Sequence, residues 1–521
     1  MHKVPINMAQ DLPLGLQDFR KIIENDFKYI DKTRYIYEMC RTPGAYFLSR
    51  PRRFGKSITL AVLQELYLGS RDLFKGLWIQ DHWDWNRTHP VLRISFSALG
   101  FQEIGLKAAL EQELKQIALS KRIQLKTIGV ASMFKEMIVE LAKKNKVVVL
   151  IDEYDAPIIN YLGKEIEKAY ENRELLKSFY TVLKDLDSHL EFVFITGVSK
   201  FSKVGIFSGM NNLTDLSMHP QYATMLGYTQ QELESNFMEE LETTATQLLI
   251  NPTKLLDQLR WWYNGYRFHL DAQRVYNPVS VNNFFDRKEF KNFWFETGTP
   301  TFLINLLKQE GIYKFTNDPQ PEQSFDTFEL ENLNVYGLLY QTGYLTIKTR
   351  NPFGLYELDY PNHEVEYAMN GYLFEAFSGL RYGEGLPLVF KLETLLRNQN
   401  LEQAIQVLQG MFKGIPYQLH EHYPEKFFHA AIHLLFTYMG LSVHSEVCTA
   451  DGRADAVVET PTHIYLFEFK LDQSADVALN QIRQKQYYQA FWQKGKPVLG
   501  VGVNFSSTIK NIEDWKLEQL G

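Results

Sequence analysis

The sequence predicts an α/β protein with a sheet-bearing domain towards each end of the chain. Three observations predict it. Arg50 to Ser57 (R-P-R-R-F-G-K-S) lies between a short apolar run and a helical pattern. Further on, Lys146 to Pro157 (K-V-V-V-L-I-D-E-Y-D-A-P) reads as a buried strand that ends in two acids. Towards the C-terminus, Ser445 to Leu471 carries an acid on one strand and an acid-x-Lys on its hairpin partner.

The first strand is carried by Tyr46, Phe47 and Leu48. The helix after the loop follows from Ile58, Leu60, Ala61, Val62, Leu63 and Leu66. Gly55-Lys56-Ser57 at the start of a helix, directly after a strand, suits a triphosphate, because backbone N–H groups and the helix dipole favour an anion there. The Lys56 ammonium can reach the β- and γ-phosphates, and the Ser57 hydroxyl can ligate Mg²⁺. The general pattern G-x-x-x-x-G-K-[ST] has a glycine where Arg50 stands.

Val147 to Ile151 is uniformly apolar, as a strand buried on both faces would be. At its end, Asp152 would hold Mg²⁺ and Glu153 would orient or deprotonate water. The plainer reading is a strand followed by a capping Asp. Its pairing, in the right order, with Gly-Lys-Ser favours nucleotide binding. Val91 to Phe96 and Phe192 to Thr196 read as two more strands. Thr196 or Ser199 is either a γ-phosphate sensor beside Asp152 or part of an ordinary turn. Asn211 and Asn212 are weaker candidates.

In the middle of the chain, Thr229 to Leu259 is helical in pattern and reads as a lid. Arg267, within W-W-Y-N-G-Y-R-F, is either an arginine finger or a surface arginine stacked on an aromatic. Glu331 to Gly343 reads as a helix, and Tyr344 to Lys348 with Leu355 to Asp359 as a hairpin, which together suggest a winged-helix-like module. Only Lys348 and Arg350 mark its wing, so it reads as a connector more than a DNA reader. Leu388 to Gly414 is a helical bridge.

In the C-terminal hairpin, Ala454 to Val458 and Ile464 to Leu471 are the strands, and Thr460 to Thr462 the turn. Glu468 and Lys470 are two apart and share a face, while Phe467, Phe469 and Leu471 take the other. Asp455 and Glu468 would hold one or two Mg²⁺, with Lys470 positioning water or stabilising a pentavalent phosphate. The alternative is a solvated charged hairpin face, but Ile464 to Leu471 is too apolar for an edge. Ala475 to Lys494 then reads as helix and Pro497 to Val503 as a buried strand. Upstream, Glu425 to Tyr438 forms an amphipathic helix. Its His429 either lines the metal site with Glu425 or is a polar boundary residue.

Two resemblances follow. The stretches L-P-L-G-L-Q-D-F, Y-I-D-K-T, R-P-R-R-F-G-K-S, L-I-D-E-Y-D-A-P and T-G-V-S-K-F-S resemble the AAA-ATPase-like domain of many uncharacterised bacterial and archaeal proteins, which has an Arg-rich loop in place of the first Gly. The resemblance implies ATP and Mg²⁺ as cofactors. Arg52, Arg53, Phe54, Gly55, Lys56, Ser57 and Asp152 would bind the nucleotide, Ser57 and Asp152 the metal, and Glu153 would be catalytic. Arg52 and Arg53 either add charge around the phosphates or pair with acids across the site. The order helix, hairpin, strand, helix, strand at the C-terminus resembles the PD-(D/E)xK nuclease superfamily, and implies a restriction-endonuclease-like α/β domain. Asp455, Glu468 and Lys470 match its catalytic motif, with Asp455 and Glu468 as metal ligands. Glu446 matches less firmly as an extra acid, the role of Gln481 is open, and Ala454 stands where the superfamily's name has proline. The expected organisation is an ATPase domain over 1–228, a helical lid over 229–300, a winged-helix-like connector over 301–385 and a bridge with the nuclease-like domain over 386–521.

Composition bounds these readings. The chain has 521 residues, 45% hydrophobic and 14% aromatic, enough for large cores. Its formal net charge of −7 offers no global attraction for nucleic acid, so contact with nucleic acid, expected to be DNA, would use local patches such as Arg50/Arg52/Arg53 or Lys143/Lys144/Lys146. Two distant cysteines, Cys40 and Cys448, exclude a disulfide framework or Cys-rich zinc site. The opening M-H-K-V-P-I-N-M-A-Q-D lacks a signal peptide's apolar core and no long apolar run is present, so the expectation is a cytoplasmic protein with no membrane span. An oligomer is compatible with all of this. The function expected is ATP binding and hydrolysis that regulates a metal-dependent nuclease. The alternative is a nucleotide-dependent switch whose nuclease-like domain only binds nucleic acid or a protein partner.

Overall fold

A computed structural model describes residues 10–200, 206–207, 210, 212–295, 301–315, 318–326, 333–414, 424–443, 447–448 and 455–520. The chain divides into two compact units. One comprises Met1–Gly298 and Phe315–Val365, the other Thr299–Lys314 and Glu366–Gly521.

The first unit is built on a five-stranded parallel sheet. Its strands are β1 (Gly44–Ser49), β2 (Val91–Ser95), β3 (Val147–Asp152), β4 (Leu190–Gly197) and β5 (Leu213–Asp215), in the order β2-β3-β4-β1-β5. Every residue of β3 and β4 is buried, as central strands covered by helices on both faces must be. Helix Lys56–Tyr67 follows β1, and Ile166–Asp185 connects β3 to β4. Because β4 lies between β1 and β3, three strand ends meet: Leu48 pairs with Thr196, Ser49 with Gly197, and Ile151 with Ile195. The carboxyl ends of parallel strands, where chain direction leaves a crevice, are the expected ligand position.

The stretch read as a lid forms three helices: Gln230–Asn236, Met238–Gln247 and Pro252–Tyr263. The first is fixed by a capping box between Thr229 and Glu232. Leu233, Phe237, Leu241, Leu255, Leu259 and Phe284 pack into one core. Short strands β6 (Asn264–Tyr266) and β7 (Val275–Tyr276) pair antiparallel. The middle module is helix Val335–Thr342 with the hairpin β8 (Thr346–Arg350) and β9 (Tyr356–Asp359).

The second unit contains a mixed sheet of β10 (Val447–Cys448), β11 (Ala456–Glu459), β12 (Ile464–Leu471), β13 (Val498–Ser506) and β14 (Asn511–Gln519), in sequential order. Only the β12–β13 pair is parallel, and its crossover is helix Ala475–Lys485. That helix sits close on β13: a Cβ at Gly502 would lie 2.3 Å from the Ala475 carbonyl oxygen. Phe436 of helix Pro424–Val443 stacks near Phe467 and Phe469. The edge strand β14 has no counterpart in the sequence reading, because its polar residues outnumber its apolar ones. Among the described residues no helix is long and apolar enough to cross a membrane.

One close approach has a measurable consequence. Gly265 has φ +136, and a Cβ there would lie 1.9 Å from the Pro361 carbonyl oxygen. Gly265→Ala should therefore destabilise the first unit by about 2 kcal/mol or more, read as a lower urea midpoint at unchanged slope.

Candidate functional site

The loop after β1 carries the first constellation. Gly55 has φ +98 and forms the N-cap of helix Lys56–Tyr67, a left-handed position where glycine costs least. Lys56 is buried, and its Nζ donates to the carbonyls of Arg50 and Pro51, both at 2.8 Å. Burial pushes this ammonium down to about 8, although Asp152, Glu153 and Asp155 favour its charge; Arg52 opposes it. Lys56 is thus within electrostatic reach of both acids read at the end of β3.

Asp152 is itself buried, and its Oδ1 accepts the Thr196 hydroxyl at 2.7 Å. Ser199 is committed elsewhere: its N–H and hydroxyl both donate to Asp155 Oδ2 at 2.6 Å. Of the two sensor candidates, then, Thr196 meets Asp152 and Ser199 does not. Asp155, which the sequence reading left without a role, also accepts the Val198 N–H at 3.0 Å. Burial raises its pKa, and the Ser199 bonds pull it back. Gly197 is needed between them, since a Cβ there would lie 2.6 Å from the Tyr154 ring. D-E-Y-D and T-G-V-S therefore interlock residue by residue. Glu153 is half-buried in a left-handed backbone, φ +51, a strained choice for a non-glycine residue that is often found at functional positions.

The arginines of the loop divide. Arg50 is buried, and donates to the carbonyls of Ser49 (2.9 Å), Ser217 (2.6 Å) and Tyr222 (3.1 Å) with its guanidinium 4.1 Å from the Phe268 ring centre. Burial pushes it down to about 10. It is an internal brace for the loop. Arg53, at φ +68, donates to the Phe293 carbonyl at 2.7 Å. Arg52 is exposed, and its carbonyl accepts the Trp294 indole N–H at 3.3 Å. Phe54 is buried 4.8 Å from the Tyr266 ring. Ser57 is half-buried, and its carbonyl lies 3.4 Å from Arg93 Nη2.

A cleft opens beside Phe54, Gly55 and Ile58, walled by Tyr29, Ile30 and Met225. Lys32, also on its lining, donates to Glu232 (2.7 Å) and to the Thr224 carbonyl (2.9 Å), and Asp31 accepts the Trp78 N–H at 2.7 Å. Y-I-D-K-T thereby ties the cleft wall to the helices beyond β5. Arg267 is not in this group: its Nη1 donates to the Lys348 carbonyl at 3.0 Å. Asn212 turns to Asp187 at 3.3 Å, and Asn211 lies outside the described residues.

The second constellation assembles on β12. Glu468 is 1% exposed, and its Oε1 accepts Lys470 Nζ at 2.9 Å. Its Oε2 is buried and has no hydrogen-bond partner among the described residues. Asp455, just before β11, accepts the Phe469 N–H at 2.8 Å. Burial first, then the neighbouring Asp455 charge, raise the Glu468 pKa, while Lys470 lowers it. The three side chains read from sequence thus come together. Glu446 and the side chain of Glu425 lie outside the described residues. His429 is exposed and borders a small hollow with Lys470, Phe469 and Phe505. Gln481 is half-buried on helix Ala475–Lys485. Among the described residues no cluster of three or more His, Cys, Asp or Glu side chains is suited to a metal.

Comparison with known proteins agrees with this division. The family described as "Predicted AAA-ATPase" matches residues 13–207, and the PD-(D/E)XK nuclease superfamily matches residues 423–515. A curated relative, the "uncharacterized protein in vnfD 5'region" of Azotobacter chroococcum mcd 1, is 37% identical over 98% of this chain and 99% of its own length.

The buried ammonium makes a pH prediction. The folded-state pKa of Lys56, about 8, lies below its ordinary value of 10.5. Its charge therefore disfavours folding at and below pH 8, and the penalty is relieved as pH rises from 8 to 10.5. Over that window the nucleotide-free protein should gain stability relative to Lys56→Met by on the order of 2 kcal/mol, measured by chemical denaturation. A constant difference between the two would contradict the burial of the charge.

Proposed function

The chain belongs to the family that joins an AAA-ATPase-like domain to a C-terminal PD-(D/E)XK nuclease-superfamily domain, and from that premise we propose an ATP hydrolase whose nucleotide state governs a metal-dependent nuclease. The nucleoside would enter the cleft beside Gly55, whose mostly apolar wall suits a base. The phosphates would lie over the amides of Gly55, Lys56 and Ser57. Lys56 is already stripped of water, so an anion is a better partner for it than the two carbonyls it now contacts. Ser57 and Asp152 would hold Mg²⁺, which would neutralise charge on the phosphates. Glu153 would take the proton of the attacking water, and Thr196 keeps one Asp152 oxygen oriented. Arg52 contributes positive charge at the loop, and Phe54 seats the loop in the core.

The observation that carries the nuclease half is the meeting of Asp455, Glu468 and Lys470, with one buried Glu468 oxygen lacking a hydrogen-bond partner among the described residues. Two adjoining carboxylates, one of them raised in pKa by burial and by its neighbour, fit a divalent cation that would relieve both penalties. A cation held there by Asp455 and Glu468 would acidify a water and offset phosphate charge. The Lys470 ammonium would stabilise the additional negative charge as the phosphodiester bond breaks. DNA is the expected substrate; because Arg50 is buried and Arg53 bonds to the Phe293 carbonyl, the expected Arg50/Arg52/Arg53 patch is reduced to Arg52, and the exposed Lys143/Lys144/Lys146 run remains. The second reading is a nucleotide-dependent switch whose nuclease-like domain binds nucleic acid or a protein partner without cleaving it.

The test incubates the full chain with plasmid and linear DNA, and with RNA, in Mg²⁺ or Mn²⁺, with and without ATP. Lys470→Ala should slow cleavage by about a hundredfold or more. Lys56→Ala should leave metal-dependent cleavage but remove its response to ATP. Cleavage that survives Lys470→Ala would remove the second site, and wild-type binding with no cleavage would favour the second reading.

A further inference from the structure

The phosphate loop is held from behind by a carboxylate that belongs to none of the motifs. Glu364 stands in the first turn of helix His363–Ser378 and is 0% exposed. Its Oε1 accepts the backbone N–H groups of Phe293 (2.7 Å) and Trp294 (2.9 Å), and the Ser280 hydroxyl lies 2.8 Å from Oε2. The 293–294 segment that Glu364 fixes is the one the loop hangs on. Arg53 donates to the Phe293 carbonyl, and the Trp294 indole donates to the Arg52 carbonyl. Pro51 is seated equally tightly, since a Cβ at Gly343 would lie 2.7 Å from its ring.

Arg53 adopts a left-handed backbone directly before Phe54-Gly55. Such a conformation persists in a non-glycine residue only where its surroundings over-determine it. The contacts to 293–294 supply that constraint, and Glu364 supplies theirs.

We infer that Glu364 is a positioning residue of the nucleotide site: by fixing the 293–294 segment it sets the path of Arg52 and Arg53, and through them the orientation of the Gly55, Lys56 and Ser57 amides. The inference rests on the reading of that loop as the nucleotide site, and extends it to a residue outside the loop and the β3 acids. The role is that of an acceptor and does not require charge. Burial pushes this carboxyl up to about 7, against the pull of its three donors and of Arg53. A glutamine can keep its carbonyl oxygen on the two N–H groups and turn its amide towards Ser280; an alanine leaves both N–H groups buried without an acceptor.

Two measurements on the full chain test this. Amide hydrogen exchange of residues 50–57 is followed without nucleotide, and a fluorescent methylanthraniloyl-ATP is titrated in Mg²⁺. Glu364→Ala should speed exchange at 50–57 while β3 stays protected, and weaken the nucleotide analogue by about tenfold; Glu364→Gln should restore both to within about threefold. Unchanged exchange and affinity in Glu364→Ala would overturn the inference, as would a loss of protection shared equally by β3. Should Glu364→Ala fail to accumulate, Trp294→Phe removes the indole donor to Arg52 while keeping an aromatic ring against Tyr344, and should speed exchange at 50–57; no change there overturns the inference. A wild type that binds no nucleotide would remove the functional reading of the loop, while the exchange comparison would still decide whether Glu364 anchors it.

Discussion

The constraint on which this molecule depends is the cost of placing charge at the ends of buried strands. Parallel strands such as β3 and β4 are sealed on both faces, so any polar group at their carboxyl ends must find its partners within the protein or in a ligand. Asp152 finds Thr196, Asp155 finds Ser199 and the 198–199 amides, and Lys56 finds two carbonyls of its own loop. Arg50 takes three carbonyls and an aromatic face in place of a carboxylate. The carboxylates explain why two of the motifs come as strings: Asp152 and Asp155 require Thr196 and Ser199 at matching offsets beyond the adjacent strand.

The two units answer that constraint differently. Around the 50–57 loop Asp152, Lys56 and Arg50 all hydrogen-bond within the protein, so an anion bound there would displace existing bonds. On β12 the match is left incomplete. Glu468 has one oxygen bonded to Lys470 and the other without a hydrogen-bond partner among the described residues, with the Asp455 charge opposing its ionisation. An unsatisfied buried carboxylate is a stability cost that a protein keeps where the missing partner is supplied from outside.

The Arg-rich loop changes the usual logic of a phosphate-binding turn. A glycine at position 50 would give the loop freedom. Arg50 and Arg53 instead attach it to Ser217, Tyr222 and Phe293, segments far along the chain. Loop geometry is then a property of the packed unit rather than of eight residues, which is why a carboxylate as distant in sequence as Glu364 bears on it.

Much of the architecture was legible in the sequence, because it follows from local pattern. Apolar runs at Val147–Ile151 and Ile464–Leu471 specify buried strands, and a two-residue period puts Glu468 and Lys470 on one face. Gly55 before Lys56 marks a loop-to-helix junction through its backbone freedom alone. Strand β14 was not legible, since a polar edge strand lacks the alternation that identifies one. Nor was the choice of Thr196 over Ser199 beside Asp152, the commitment of Arg50 and Arg53 to carbonyls, or the reach of Glu364 to 293–294. Residue type and spacing by themselves determine which groups can carry charge and which face they share. Which partner satisfies each buried charge is decided by the tertiary structure, because hydrogen bonds are directional and short, and only the packed chain brings their distant ends within reach.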